Sequence, residues 1–361
     1  MAPKKLRQAI GAVKDHARIG LAKIGSLSDL EIAVVKATRH RATPPNENHA
    51  REILSLTSRS RALVNSAVRM IANRLNGTEN WVVALKSLML VQQLLAEGGY
   101  AYAEEIFFET RKRTCFLNVS GFRDSSFRRH AWDFSAFVRT YAMYLDEDVE
   151  FRMQGRKRTR HWDEEEDEED EKGSRIWTRT TPVREISNEL VFFMAHHVKQ
   201  LIQKFLACKP TGAAKHDEIV GAALYRIVIE SIRLHDGMNE IIEVLTERFM
   251  ELEVPDMARV YEIFCSVSVL YDELDAFYEW CKNAAIGSTS EYPEVEKIPH
   301  KKLGMMEDIM SQKSAISRVR NRKAKQNHET EECMLSIEAS RSSKQESKDE
   351  QSERAEEQQE K

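Results

Sequence analysis

The chain has 361 residues, of which 31% are charged and 42% hydrophobic, and its net charge is only −4. That length allows one large or two ordinary domains with a real core, and the absence of a glycine-rich phosphate loop, a nucleophile motif or a metal-ligand constellation argues against catalysis. Glycine and proline are scarce, at 14 and 8, and alternating strand-like runs are absent, so the chain reads as all-α.

In residues 4–24, Leu6, Ile10, Val13, Ala17, Leu21 and Ile24 recur at helical spacing, with Lys4, Lys5, Lys14, Arg18 and Lys23 mostly on other faces. The pattern predicts a basic amphipathic helix within residues 1–25, weakened by Gly11 and Gly20. Two readings stay open: it lies on an anionic membrane, or it packs on the domain and keeps its lysines in water.

Ser28 and Glu31 have capping-box spacing, which predicts a short helix from Asp29 to Thr38 with Lys36 in its last turn. Pro44 and Pro45 forbid its continuation, and Asn46 is a good N-cap for a second helix carrying Ala50, Ile53 and Leu54 on one face. Free amides at that N-terminus attract anions. Lys36, Arg39, His40, Arg41, His49 and Arg51 are expected to converge there on a site for a phosphate-rich ligand. The competing reading is an ordinary corner with solvated charges. Residues 1–60 hold eleven Lys and Arg against five Asp and Glu, so positive charge gathers at this end.

Val64, Ala67, Val68, Ile71 and Leu75 mark the next helical face, ended by Asn76-Gly77. The run from Trp81 to Ala96 is apolar nearly all round, apart from Lys86; it is too short to span a bilayer and suits the centre of a bundle. A helix over Tyr102–Phe116 and the loop Asn118-Val-Ser-Gly-Phe-Arg-Asp follow. Phe134, Phe137, Val138, Tyr141, Leu145 and Val149 mark a long helix whose pattern stops at Gly155. Basic and then acidic runs fill residues 155–181, which read as a disordered, charged insertion.

Helical spacing returns from Ile186 to Phe205, from Ile219 to Ile232 and from Ile241 to Phe249. The adjacent His196 and His197 point to different faces and no carboxylate or cysteine spacing completes a metal site. Met257, Val260, Phe264, Val267, Tyr271, Leu274, Tyr278 and Cys281 alternate spacings of three and four, a coiled-coil seam that packs on the preceding helix or accepts a partner's helix. Beyond Gly287 the chain is polar. Basic residues between Lys313 and Lys325 extend one more helix, and the tail from Ser340 has no core potential. Five cysteines, odd in number, widely spaced and without a Cys-x-x-Cys pair, and an N-terminus without an apolar signal region predict a cytosolic setting.

Four phrases, in this order and spacing, resemble the ANTH domain of clathrin assembly proteins, especially the plant branch. They are Asp29-Leu-Glu-Ile-Ala-Val-Val-Lys-Ala-Thr with the downstream Pro-Pro and His49, Trp81-Val-Val-Ala-Leu-Lys-Ser-Leu, Phe116-Leu-Asn-Val-Ser-Gly-Phe-Arg-Asp, and Phe137-Val-Arg-Thr-Tyr-Ala-Met-Tyr-Leu. The resemblance implies an α-solenoid of about ten helices, its halves spanning 26–154 and 182–290, followed by a polar tail over 291–361. It implies a non-enzymatic coat adaptor without cofactor, monomeric, that binds phosphatidylinositol bisphosphate in the cytosolic leaflet and assembles clathrin. Coated pits and vesicles, in endocytosis or post-Golgi traffic, and the Golgi are the implied locations, and nucleic acid is not an implied partner.

The family's headgroup motif runs from a lysine to a histidine through two further basic positions. Carried over, these are Lys36, Asn46, Asn48 and His49, with Glu47 between the asparagines. Two missing cations at about 1 kcal/mol each predict binding weakened by about thirtyfold, with Arg39, His40, Arg41 and Arg51 as compensation. A helical scaffold that has lost lipid binding is the alternative. The family's short adaptor-hooking peptides are absent from this stretch, but Met334, Leu335, Ile337 and Glu338 approximate a clathrin box that would engage the clathrin heavy chain. Vesicle SNAREs are a further partner implied for the C-terminal helices.

Overall fold

A computed structural model describes residues 4–22, 28–113, 115–125, 130–162 and 182–319. Among these there is no strand: the helices are α1 (Lys4–Ala22), α2 (Ser28–Ala37), α3 (Glu47–Thr57), α4 (Arg61–Asn76), α5 (Trp81–Glu97), α6 (Gly99–Phe108), α7 (Ala131–Trp162), α8 (Asn188–Leu206), α9 (Glu218–Arg248) and α10 (Val254–Asn283). Residues 300–319 are also helical. The chain divides into two compact units, Met1–Phe249 with Ile263–Lys297, and Met250–Glu262 with Ile298–Lys361.

In the larger unit each helix from α1 to α9 packs on the next in sequence, the contact pattern of a helical solenoid. The core is α5. Every residue from Trp81 to Leu95 is buried, and α2, α3, α4, α6, α7 and α9 all touch this helix. Its start is fixed by Asn80, whose side chain accepts the Val82 and Val83 amides, while Asp124 from the 118–124 loop accepts the Trp81 amide. Trp81 then stacks on Phe134 at 4.1 Å, which ties α5 to α7. Ser60, Ser187 and Asp217 cap α4, α8 and α9 in the same way.

Three boundaries differ from the sequence reading. The helix expected over Tyr102–Phe116 ends at Phe108 and passes through a π-helical turn, Glu109–Arg113, before Cys115 takes a left-handed φ of 52°. Helix α7 runs past Gly155 to Trp162, because helical backbone hydrogen bonding does not require an apolar face; residues 163–181 of the expected insertion lie outside the described residues. The patterns around Ile219 and Ile241 belong to one helix, α9, in which Gly237 is accommodated without a break.

In the larger unit, the seam residues Phe264, Val267, Tyr271, Leu274, Tyr278 and Cys281 are buried, with Tyr278 bonded to Ser231 at 3.0 Å and Tyr271 to Asn239 at 2.6 Å. Of the two expectations for this seam, packing on the preceding helix holds. A docked partner helix does not, since the apolar groups it would need are already covered. In the smaller unit, Lys313 donates to the carbonyls of Met250 and Leu252, closing the turn before α10.

Candidate functional site: the α2–α3 junction

The junction between α2 and α3 is irregular from Arg39 to Asn46, as the two prolines require. Asn46 caps α3 from an extended conformation, φ −82° and ψ 122°, and its Oδ1 accepts the Asn48 amide at 2.9 Å. The oxygen of Asn46 is therefore committed to the helix, whereas the Asn48 side chain is exposed. Lys36 is half-buried on the last turn of α2, and Arg39 and Arg41 are exposed. Among the described residues none of these three cations is in an ion pair. His49 is half-buried, its Nδ1 3.5 Å from Glu52 on the same helix, and Arg51 pairs with Glu47 at 3.3 Å.

His40 faces the other way. Its amide donates to Asp15 Oδ2 at 3.0 Å and its Nδ1 lies 2.9 Å from Asp15 Oδ1, so the ring is directed at α1 rather than at solvent with Arg39 and Arg41. Asp15 is also paired with Arg74 of α4 at 2.8 Å, and both side chains are almost wholly buried. Arg74 in turn donates to the Thr38 hydroxyl and carbonyl, each at 3.1 Å. Burial pushes the Asp15 carboxyl up, but the hydrogen bonds from His40 and Arg74 outweigh it and hold its pKa below the ordinary carboxylate value.

This cluster decides how α1 sits. Gly11 and Asp15 are buried against the junction, and a Cβ on Gly11 would lie 2.6 Å from the His40 Cβ, so only glycine lets α1 approach this closely. Ile10 at 49% and Val13 at 67% exposure face water beside exposed Lys14. Of the two readings left open for α1, packing on the domain with Lys14 in water is what the described residues show. A polar latch and a glycine form the packed face, and the described part of the apolar stripe is left outward.

Lys86 is the second group that sequence reasoning left unused. It is buried in α5 and its Nζ donates to the carbonyls of Arg39 at 3.2 Å and Arg41 at 2.7 Å. That clamp holds the backbone of the two exposed arginines inward and leaves their side chains outward. Burial pushes the Lys86 pKa down to about 8, with Asp15 opposing and Arg41 and Arg39 adding to the shift. A lone ammonium in a helix apolar on all sides was a legible signal, since lysine is almost never fully buried without a partner. A small cleft behind the junction is lined in part by Pro45, Asn46, Lys86, Gln93 and Arg226, the last from α9.

The ANTH domain description matches residues 29–312. A protein of Arabidopsis thaliana named "Putative clathrin assembly protein" is 48% identical over 337 residues, covering 90% of this chain and 56% of its own length. The chain belongs to the ANTH-domain family. A second Arabidopsis thaliana protein of the same description is 50% identical over 335 residues, covering 88% and 55%. "Clathrin coat assembly protein AP180" of the same plant is 32% identical over 332 residues, covering 87% and 51%. The chain thus spans about half the length of these ANTH relatives.

Other motifs settle into packing. In this ANTH chain His197 is buried against Phe193 and Phe151 with Glu147 at 3.4 Å, and His196 is exposed. Among the described residues no group of histidines, cysteines and carboxylates is placed to hold a metal, and no helix is long and apolar enough to cross a membrane. Met334, Leu335, Ile337 and Glu338 lie outside the described residues.

Proposed function

We propose that this chain is the membrane-binding part of a clathrin coat adaptor, in which the α2–α3 junction captures a bisphosphorylated phosphoinositide headgroup on the cytosolic leaflet. The observation that carries the reading is the clamp of Lys86 on the Arg39 and Arg41 carbonyls, which presents two exposed arginines beside Lys36 with no described carboxylate paired to any of them. With the backbone so held, the two exposed guanidiniums are free to match phosphate oxygens. The outward Ile10 and Val13, with exposed Lys14 beside them, support contact of α1 with the same bilayer. Clathrin recruitment, in endocytosis or between Golgi and plasma membrane, is the role that kinship with clathrin assembly proteins supports for this chain. A SNARE partner would have to use surfaces of α10 other than its buried seam.

Asn46, Glu47 and Asn48 favour a second reading, a protein-binding scaffold without lipid recognition, because no lysine stands at these positions. Co-sedimentation with vesicles of differing phosphoinositide content separates the two. The adaptor reading expects binding that rises with phosphatidylinositol bisphosphate and falls at least tenfold for Lys36→Glu. Binding that ignores both the lipid and the charge reversal would remove it.

A further inference from the structure

The Glu47 carboxylate is held between guanidiniums from two distant parts of the chain. Its Oε2 accepts from Arg51 Nη2 at 3.3 Å, one helical turn away, and its Oε1 accepts from Arg226 Nη2 at 3.4 Å. Arg226 belongs to α9 and is steadied from behind by Gln93, whose Oε1 lies 3.3 Å from its Nη1. Two carboxylate oxygens, each on its own arginine, occupy the places that two oxygens of a phosphate would take.

The exposures of the partners differ. Arg226 is 22% exposed and Glu47 is 58% exposed, so the carboxylate swings into water far more easily than the arginine leaves. Exposed pairs of this kind contribute little to stability, so their loss does not oppose displacement strongly. Arg226 also lines the cleft that Lys86 and Asn46 line, which places a further cation at the rear of the corner that bears Lys36, Arg39 and Arg41.

We propose that Arg226, with Arg51, is a phosphate-binding residue of this corner, and that Glu47 is the internal anion that a phosphorylated inositol ring must displace. The proposal rests on the headgroup reading above and deepens it. Lysines are lacking at 46 and 48, so the second phosphate contact moves from the start of α3 to α9. A phosphate monoester carries close to two negative charges at neutral pH against one for Glu47, so the exchange favours phosphorylated inositols over singly charged lipid headgroups.

The test uses the full chain, titrated with phosphatidylinositol bisphosphate vesicles, with phosphatidylserine vesicles and, by calorimetry, with soluble inositol hexakisphosphate. Glu47→Gln is expected to tighten binding to both inositol ligands about fivefold, and Arg226→Gln to weaken it about fivefold. The deciding quantity is the coupling: Arg226→Gln should cost more in the Glu47→Gln background than in wild type, because the arginine is then free to engage phosphate. If Arg226 merely staples α9 to the junction, its loss costs less in that background, and the proposal falls. A gain seen equally on phosphatidylserine vesicles would also overturn it, since that reports general surface charge. Arg226→Lys, with unchanged melting temperature, should retain most of the binding. Lys36→Glu separates the two levels of the argument. Binding that needs Lys36 but ignores Arg226 leaves the headgroup reading standing and removes this inference, whereas no binding by wild type removes both.

Discussion

Asp15 on α1 and His40 in the α2–α3 junction are joined twice, amide to Oδ2 at 3.0 Å and ring to Oδ1 at 2.9 Å, so the N-terminal helix and the cation-bearing junction are one mechanical unit. The buried Arg74 completes the latch from below.

Asp15→Asn leaves the Arg74 guanidinium buried without its counter-charge, an error that costs about 3 kcal/mol. Gly11→Ala acts from the other side, by driving a methyl into the His40 Cβ. Both variants should release α1, whose amides then lose protection from hydrogen exchange while those of α5 keep theirs. A 19-residue helix with two glycines does not persist alone in water. Unchanged protection of α1 in both variants would show that the latch is not what holds it.

Acid should reproduce the effect. The folded pKa of Asp15 is below its unfolded value, so the latch contributes fully above the ordinary carboxylate range and is lost as pH falls through the lowered folded value. Exchange of α1 amides, corrected for the intrinsic rate, should therefore rise on acidification below about pH 4. In Asp15→Asn this step should be missing.

Lys86 predicts a pH dependence on the alkaline side. Its folded pKa of about 8 lies below the unfolded value of 10.5, so the buried charge weighs against the fold at neutrality and stability gains as pH rises from about 8 toward 10.5. Anion binding should move the opposite way, since a charge is lost from beneath Arg39 and Arg41. Affinity for soluble inositol phosphate is expected to fall several-fold between pH 7 and 9. Lys86→Met should bind weakly at both pH values and flatten the profile.

Asparagines 46 and 48 are separable. Asn48→Lys adds a cation at an exposed side chain, so binding to phosphoinositide vesicles should tighten about fivefold with no change in melting temperature. Asn46→Lys adds the same charge but removes the cap of α3, at about 1 kcal/mol, so its gain in binding comes with a lower melting temperature. Equal melting temperatures for the two would contradict the cap.

Val13→Glu tests the outward face of α1. At 67% exposure the substitution should leave stability within about 0.5 kcal/mol. Vesicle binding should weaken while calorimetric affinity for soluble inositol phosphate stays constant, because only the bilayer offers Val13 an apolar neighbour. A parallel fall in both would place Val13 in the headgroup site instead.

What the sequence determined by itself was local. Helical periodicity, the prolines at 44 and 45 and the caps at Asn46 and Asn80 act over a few residues, so the all-α fold, the junction and the central place of α5 could be read directly. The tertiary structure decided which polar groups meet. Asp15 and Arg74 are 59 residues apart, Lys86 and Arg41 are 45 apart, and Glu47 and Arg226 are 179 apart, and none of these pairings leaves a periodic trace. It also decided the face of α1 that the sequence left open: one buried ion pair and one glycine fix the helix on the junction by contact geometry, which a hydrophobic pattern does not encode.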